Sequence, residues 1–312
     1  MKTRQSPECG IIMKNKLLVL MLTLVTLSAY TQQNPLPLYP GVIPGSKPTP
    51  TDYVEKTDEG GFVKQVSIPT ITPYFPTGKG TKRPAVIVFP GGGYSGLAMD
   101  HEGRQIAMAF AAKGYVAFVV KYRLPDDRIM EDKSIGPLQD AQQAIHLVRE
   151  RAGEWGIDPG KTGIIGFSAG GHLASTAATH FDGPTIFRDK VSLVPSFAIL
   201  MYPVISFGKY AHVGSRENLI GREADSVTIA AYSNEKRVTE KTPPVFLEHS
   251  IDDDVVPVEN SRIFAEALKA NNIPYELLEY EKGGHGYGLN NPRTKDPWFD
   301  HCIKWLKKQK MN

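Results

Sequence analysis

The chain has 312 residues, of which 41% are hydrophobic and 22% charged, an ordinary composition for a globular protein with a buried core. The formal net charge is +3, and the residues after position 31 contain 32 basic and 32 acidic side chains. Because phosphate binding needs clustered excess positive charge, this balance argues against a nucleic-acid partner.

Residues 1–31 are typical of a secretory signal peptide. Lys14 and Lys16 form a basic region, and residues 17–29 form an apolar stretch that is short for a membrane span. We expect Met13 to be the initiator and Gln32 to begin the mature chain. A buried N-terminal helix or a membrane anchor is the alternative. We therefore predict export to the periplasm or the medium, with no membrane contact by the mature chain.

A proline-rich arm at residues 32–50 precedes a regular alternation of strands and helices. Strands are predicted at residues 62–75 (one or two strands), 84–89, 116–122, 162–165, 196–202, 245–249 and 275–280. Helices are predicted at residues 105–112, 138–152, 173–178, 260–270 and 298–307. The alternation predicts an α/β fold in which residues 32–312 form a single domain. Its mostly parallel, eight-stranded sheet should carry helices on both faces.

One long polar segment, at about residues 206–241, interrupts this alternation. An insertion there would lie above the carboxyl edge of the sheet, where open α/β sheets place their ligands. We interpret it as a small lid or pocket wall. A plain surface loop is the alternative.

Residues 166–171 read Gly-Phe-Ser-Ala-Gly-Gly, between an apolar strand and a run of small residues. A Gly-x-Ser-x-Gly between strand and helix predicts a sharp turn that exposes the serine as a nucleophile. Ser168 is therefore the candidate nucleophile. A serine needs a neighbouring base to react, so partners are expected downstream.

The candidate base is His285, which lies in a glycine-rich loop after the strand at 275–280. The candidate acid comes from the run of Asp252, Asp253 and Asp254, which follows the strand at 245–249. An aspartate there would hold the histidine in the required tautomer and stabilise its protonated form. The run can also be a solvated turn that caps the next helix.

The segment Phe-Pro-Gly-Gly-Gly-Tyr at 89–94 follows a buried strand. Consecutive glycines present backbone N–H groups, so Gly92 and Gly93, with Ala169, are the candidate oxyanion hole. A phosphate-binding glycine loop is the weaker alternative, because neither Gly-x-Gly-x-x-Gly nor a Walker lysine is present.

Two further polar residues lie in or near these motifs. Glu102 either begins the first helix, where the helix dipole favours a carboxylate, or faces the pocket; we favour the first role. His172, on the helix after Ser168, is expected to be structural, because it precedes the acid in the chain.

Together these motifs resemble the esterase/lipase families of the α/β-hydrolase fold. Within them, the chain is most similar to secreted bacterial carbohydrate esterases typified by bifunctional acetylxylan and feruloyl esterases. The shared motifs are Phe-Pro-Gly-Gly-Gly-Tyr (89–94), His-Glu-Gly (101–103), Tyr-Arg-Leu-Pro (122–125), Gly-Phe-Ser-Ala-Gly-Gly-His-Leu-Ala (166–174), Thr-Pro-Pro (242–244), Asp-x-x-Val-Pro (253–257) and Gly-Gly-His-Gly (283–286).

The resemblance implies a serine esterase with a Ser168–His285–Asp253 triad. The usual Asp-x-x-Val-Pro spacing selects Asp253, with Asp252 and Asp254 as alternatives. No metal or organic cofactor is expected. The substrate would be a small-molecule or polysaccharide ester, such as acetyl or feruloyl groups on xylan. A general short-chain carboxylesterase and a non-catalytic binding protein of the same fold are the alternatives, and the oligomeric state stays open.

Overall fold

The computed structural model describes residues 1, 3, 30–78, 80–181 and 191–312. The predicted signal peptide lies almost wholly outside the described residues. The expected cleavage position falls inside a short first strand, so only Gln32 of that strand would remain in a processed chain.

Strands alternate with helices along the described chain. The strands are β1 (Tyr30–Gln32), β2 (Leu36–Pro37), β3 (Lys56–Thr57), β4 (Phe62–Lys64), β5 (Thr70–Pro76), β6 (Arg83–Phe89), β7 (Leu97–Ala98), β8 (Val116–Lys121), β9 (Ile157–Phe167), β10 (Ala198–Met201), β11 (Val245–Ser250) and β12 (Tyr275–Tyr280). The α-helices are α1 (Gln105–Ala112), α2 (Gly136–Glu150), α3 (Ala152–Trp155), α4 (Ser168–Thr179), α5 (Val213–Ile220), α6 (Ser226–Ala231), α7 (Glu259–Ala270) and α8 (Trp298–Lys308). A π-helical segment, Met99–Arg104, precedes α1, and a 3₁₀ turn, Asn234–Lys236, follows α6.

The main sheet has the strand order β1-β5-β8-β6-β9-β10-β11-β12, with β2 also paired to β5. Pairs from β8 through β12 are parallel, and those made by β5 with β1, β2 and β8 are antiparallel. The predicted sheet is confirmed, with nine strands where eight were expected: seven of them were predicted, and the short N-terminal strands β1 and β2 are added. Strands β3, β4 and β7 form a separate antiparallel sheet.

Helices cover both faces of the main sheet, as predicted. Side chains alternate along β6, so that Ile87 joins the core shared with α2, α4 and α7, whereas Val88 joins the core shared with α1 and α8. The strand is therefore apolar from Pro84 to Phe89, as is usual for strands buried on both faces. Because parallel strands end at one edge, the loops after β6, β9, β11 and β12 meet there.

Candidate functional site

Ser168 lies at a sharp turn between β9 and α4. Its backbone has φ of +51°, in the left-handed region that side chains other than glycine rarely adopt. A Cβ on Gly166 would collide with the carbonyl of Gly170, and one on Gly170 would collide with the carbonyl of Phe89. Both glycines of the motif are therefore needed for the close approach of strand and helix.

The loop after β12 brings His285 against Ser168. The imidazole Nε2 lies 2.8 Å from Ser168 Oγ, and Nδ1 lies 2.6 Å from Asp253 Oδ2. A carboxylate accepts only, so Nδ1 donates to Asp253 and Nε2 is left to accept the serine hydroxyl proton. Three residues from separate loops thus form one continuous hydrogen-bonded chain.

Asp253 is buried and remains charged. Burial alone would raise the pKa of its carboxyl, but hydrogen bonds from His249 and His285 lower that pKa well below its ordinary value. Its Oδ1 also accepts the N–H groups of Val255 and Val256, both at 2.9 Å. The carboxylate is therefore fixed in position as well as in charge.

The neighbouring aspartates have other surroundings. Asp252 Oδ1 accepts the N–H groups of Gly283 and Gly284, both at 2.8 Å, and Oδ2 pairs with Arg293 at 2.9 Å. Asp252 therefore supports the loop that carries the histidine, while Asp254 is exposed. Of the three carboxylates, only Asp253 contacts His285.

The glycine loop has its carbonyl groups engaged and its central N–H groups free. The Pro90 carbonyl accepts the Tyr122 hydroxyl, and the Gly91 carbonyl accepts the Ala98 N–H. The Gly92 carbonyl accepts the N–H groups of Ser95 and Gly96. The Gly93 carbonyl accepts the Asn218 amide. Among the described residues, the N–H groups of Gly92 and Gly93 have no hydrogen-bond partner. The N–H of Ala169, in the first turn of α4, has no acceptor within its helix.

Glu102 lies in the first turn of the π-helical segment that precedes α1, close to the helix start that we favoured from the sequence. It is 3% exposed, within the π-helical segment. Its carboxylate accepts the Gly91 N–H and the Tyr202 hydroxyl, each at 2.8 Å. A sequence pattern could not have found this, because the partners are 11 and 100 positions away.

His172 is buried and structural, in agreement with the prediction. Its ring nitrogens lie 2.9 Å from the Tyr94 hydroxyl and 2.9 Å from the Tyr232 carbonyl, and its ring stacks on Phe207. Burial lowers the pKa of His172 to about 3, so the ring is neutral. It joins α4 to the glycine loop and to the segment at 206–241.

The segment at 206–241 contributes two residues beside the site that the sequence did not single out. Asn218, on α5, donates to the Gly93 carbonyl at 2.8 Å. His212 caps α5 by accepting the Ser215 N–H, and its Cε1 would lie 3.7 Å from a Cβ on Gly93. Burial, and next the nearby His285, lower the pKa of His212. The segment therefore contacts the glycine loop.

Neither a metal-binding cluster nor a membrane-spanning helix occurs in the described ranges. No cluster of three or more His, Cys, Asp or Glu side chains able to hold a metal ion is found in them. Within the same ranges, no helix is both long and apolar enough to cross a bilayer.

Comparison with known proteins identifies the family. The BD-FAE family model matches residues 72–268. The chain belongs to the BD-FAE family. The matched part of this BD-FAE member begins within β5, ends within α7 and includes Ser168 and Asp253.

Relatives of this BD-FAE chain are named for xylan chemistry. Endo-1,4-beta-xylanase B of Butyrivibrio fibrisolvens is 37% identical over 70% of the chain and 34% of the relative. An acetylxylan esterase of Xylanibacter ruminicola is 36% identical over 72% of the chain and 45% of the relative. The chain thus spans less than half the length of these two proteins.

A solved structure of similar length is also close to the BD-FAE chain. The crystal structure of an acetyl ester-xyloside bifunctional hydrolase from Caldicellulosiruptor lactoaceticus has a TM-score of 0.77 at 37% identity. The match covers 89% of this chain and 97% of that one. The predicted α/β-hydrolase fold and carbohydrate-esterase resemblance are therefore confirmed.

Proposed function

We propose that the chain is an exported serine esterase that removes acetyl groups, with feruloyl groups as a second acyl class, from plant polysaccharide such as xylan. The observation that carries the proposal is the hydrogen-bonded chain from Ser168 through His285 to Asp253, with distances of 2.8 and 2.6 Å. This arrangement suits nucleophilic attack on an ester carbonyl.

In this mechanism His285 Nε2 takes the Ser168 hydroxyl proton as Oγ attacks the carbonyl carbon. Asp253 stabilises the imidazolium that forms. The N–H groups of Gly92, Gly93 and Ala169 receive the negative charge on the carbonyl oxygen. The carbonyl re-forms as the ester bond to the alcohol breaks, and His285 protonates that alcohol. Water, deprotonated by His285, then releases the acid from the acyl-enzyme.

The substrate class is supported by the names of the relatives. An acetylxylan esterase, a xylanase and an acetyl ester-xyloside hydrolase share this region of sequence or fold. Export is supported by the basic and apolar pattern of residues 14–29.

The test combines active-site labelling with substrate panels. A fluorophosphonate should label Ser168, and Ser168→Ala should remove the label and lower kcat by at least about 10⁴-fold. Ser226→Ala, at an exposed serine of α6, is the matched control and should behave as wild type. Wild type should release acetate from acetylated xylan.

The remaining outcomes separate the alternatives. Cleavage of short aryl esters, with acetylated xylan and feruloyl esters untouched, would replace the polysaccharide substrate with a general carboxylesterase activity. No labelling, together with unchanged turnover in Ser168→Ala, would instead indicate a binding protein without catalysis.

A further inference from the structure

A buried carboxylate, Glu102, connects the glycine loop to the rest of the site. Glu102 Oε2 accepts the Gly91 N–H at 2.8 Å. A Cβ on Gly91 would lie 2.7 Å from Glu102 Oε2 and 3.0 Å from Ser168 Cβ, so the carboxylate, the Gly91 backbone and the nucleophile are packed closely together. The hydrogen bonds that Glu102 accepts come from Gly91 and Tyr202.

The peptide between Pro90 and Gly91 is held at both ends. The Tyr122 hydroxyl donates to the Pro90 carbonyl at 2.8 Å, while the N–H of the same peptide donates to Glu102. Fixing this peptide sets the direction of the chain that enters Gly92 and Gly93. The orientation of the two free N–H groups thus depends on the Glu102 hydrogen bond.

The other oxygen of Glu102 extends to the histidine loop. Its Oε1 accepts the Tyr202 hydroxyl at 2.8 Å, and the same hydroxyl accepts the Gly288 N–H at 2.9 Å. The Tyr202 ring packs edge-on against His285, with centroids 4.9 Å apart, and against Tyr287 at 4.8 Å. Tyr202 is fully buried.

We infer that Glu102 is a positioning residue that aligns the oxyanion loop, through Gly91, with His285, through Tyr202. The inference rests on the proposed function and extends it to a residue that does not touch the substrate. The Glu102 carboxylate accepts hydrogen bonds from Gly91 and from Tyr202. Its loss therefore displaces the oxyanion loop and the His285 loop together. A displacement of about 1 Å in a catalytic group can lower a rate by about 100-fold.

Three variants test this alignment with p-nitrophenyl acetate. Glu102→Ala should lower kcat by about 100-fold with KM within about twofold, because the loss falls on the transition state. Glu102→Gln keeps an acceptor for Gly91 and should recover about tenfold of that loss. Tyr202→Phe keeps the ring beside His285 and should lower kcat by about tenfold. Affinity for an alkylboronic acid, whose adduct on Ser168 presents an oxygen to the loop, should fall in parallel with kcat.

Asp100→Asn is the matched control in the same π-helical segment. Asp100 bonds Arg104 and Gln105 and does not contact the glycine loop, so its variant should keep wild-type kcat and boronate affinity. Equal losses in Asp100→Asn and Glu102→Gln would assign the effect to general damage and overturn the inference.

Hydrogen exchange gives a readout that does not depend on esterase activity. In Glu102→Gln and Tyr202→Phe, segments 89–98 and 283–290 should exchange faster than in wild type, at an unchanged melting temperature. Wild-type exchange in both segments would overturn the inference even if Ser168 proves essential. If the two variants exchange faster but the wild type has no esterase activity, the result would contradict only the proposed function.

Discussion

Three adjacent aspartates have different surroundings and therefore different roles: Asp252, Asp253 and Asp254. Asp253 is buried between two histidines, Asp252 holds the backbone of the histidine loop, and Asp254 is exposed. Their adjacency alone does not rank them, and the Asp-x-x-Val-Pro spacing selects Asp253 only through the family resemblance. The hydrogen-bond partners rank the three aspartates, and this ranking leads to a graded prediction.

Asp253→Asn should lower kcat by about 10³–10⁴-fold, because an amide cannot hold the His285 tautomer and does not stabilise the imidazolium. Asp252→Asn should lower kcat less, since it weakens only the support of the loop. Asp254→Asn should change kcat by less than about twofold and serves as the control. Steady-state kinetics on one aryl ester measure all three, and a larger loss in Asp254→Asn than in Asp253→Asn would refute the assignment.

Glu248 predicts an unusual dependence of stability on pH. Burial raises the pKa of its carboxyl to about 8, against a lowering by the hydrogen bond from Tyr287 and a further rise from Asp253. Between about pH 4.5 and 8 the folded state therefore binds one proton that the unfolded state has released. The free energy of unfolding contributed by this group falls as the pH rises through that range.

In Glu248→Gln, the free energy of unfolding should decrease less steeply with pH, by up to ~1.4 kcal/mol per pH unit, since glutamine does not titrate. Urea denaturation at pH 5, 6, 7 and 8 measures the slope. Glu240→Gln, at an exposed glutamate, should keep the wild-type slope. If Glu248→Gln and wild type show parallel curves, Glu248 is charged in the folded protein and the predicted proton uptake is wrong.

At the scale of elements, the turn between β9 and α4 is the most demanding piece of backbone. Gly170→Ala should lower the free energy of unfolding by at least about 3 kcal/mol, because the added Cβ meets backbone oxygens that cannot move aside. Gly153→Ala, on α3 with open space around it, should change it by less than about 1 kcal/mol. Thermal melting compares the two, and similar melting temperatures would show that the turn tolerates a side chain.

Most elements were predictable because their signal is local. Helix α1 and strand β12 have the predicted bounds, since apolar periodicity ends there at turn residues. We predicted that β9 begins at 162, because Asp-Pro-Gly-Lys at 158–161 has the composition of a turn. In the structure, β9 begins at Ile157. Strand β9 pairs with β6 at Ile157 and again from Thr162, and residues 158–161 form an irregularity between these two pairs.

The candidate site was predictable only where a motif marks the residue. Ser168 and His285 lie in glycine-rich turns that follow apolar strands, and chain order proposes their pairing. Asn218 and Tyr202 have no such mark, and the His-Glu-Gly motif contains Glu102 without indicating its partners. Asn218 reaches Gly93 across 125 positions, so only the folded chain shows their contact.

At the scale of the whole molecule, one buried ion pair fastens the N-terminal arm to the sheet and to α2. Arg123 and Asp140 are both fully buried, with Nη2 and Oδ1 2.8 Å apart. Arg123 also donates to the Pro44 carbonyl and the Ser46 hydroxyl, each at 2.9 Å, and Tyr39 donates to Asp140 at 2.9 Å. The arm is therefore an integral part of the domain.

Arg123→Met should lower the free energy of unfolding by about 3–5 kcal/mol, because it leaves the Asp140 carboxylate buried without its cation. Arg123→Met combined with Asp140→Leu should lower it by less than the sum of the two single changes, since no charge is then left unpaired. Arg222→Met, which breaks the exposed pair with Glu217, should change it by less than about 1 kcal/mol.

Urea denaturation measures these values, and limited proteolysis should cut the arm at residues 32–50 faster in Arg123→Met alone. An equal loss in Arg123→Met and Arg222→Met would show that burial adds nothing to the pair, and that the arm is held by its apolar contacts.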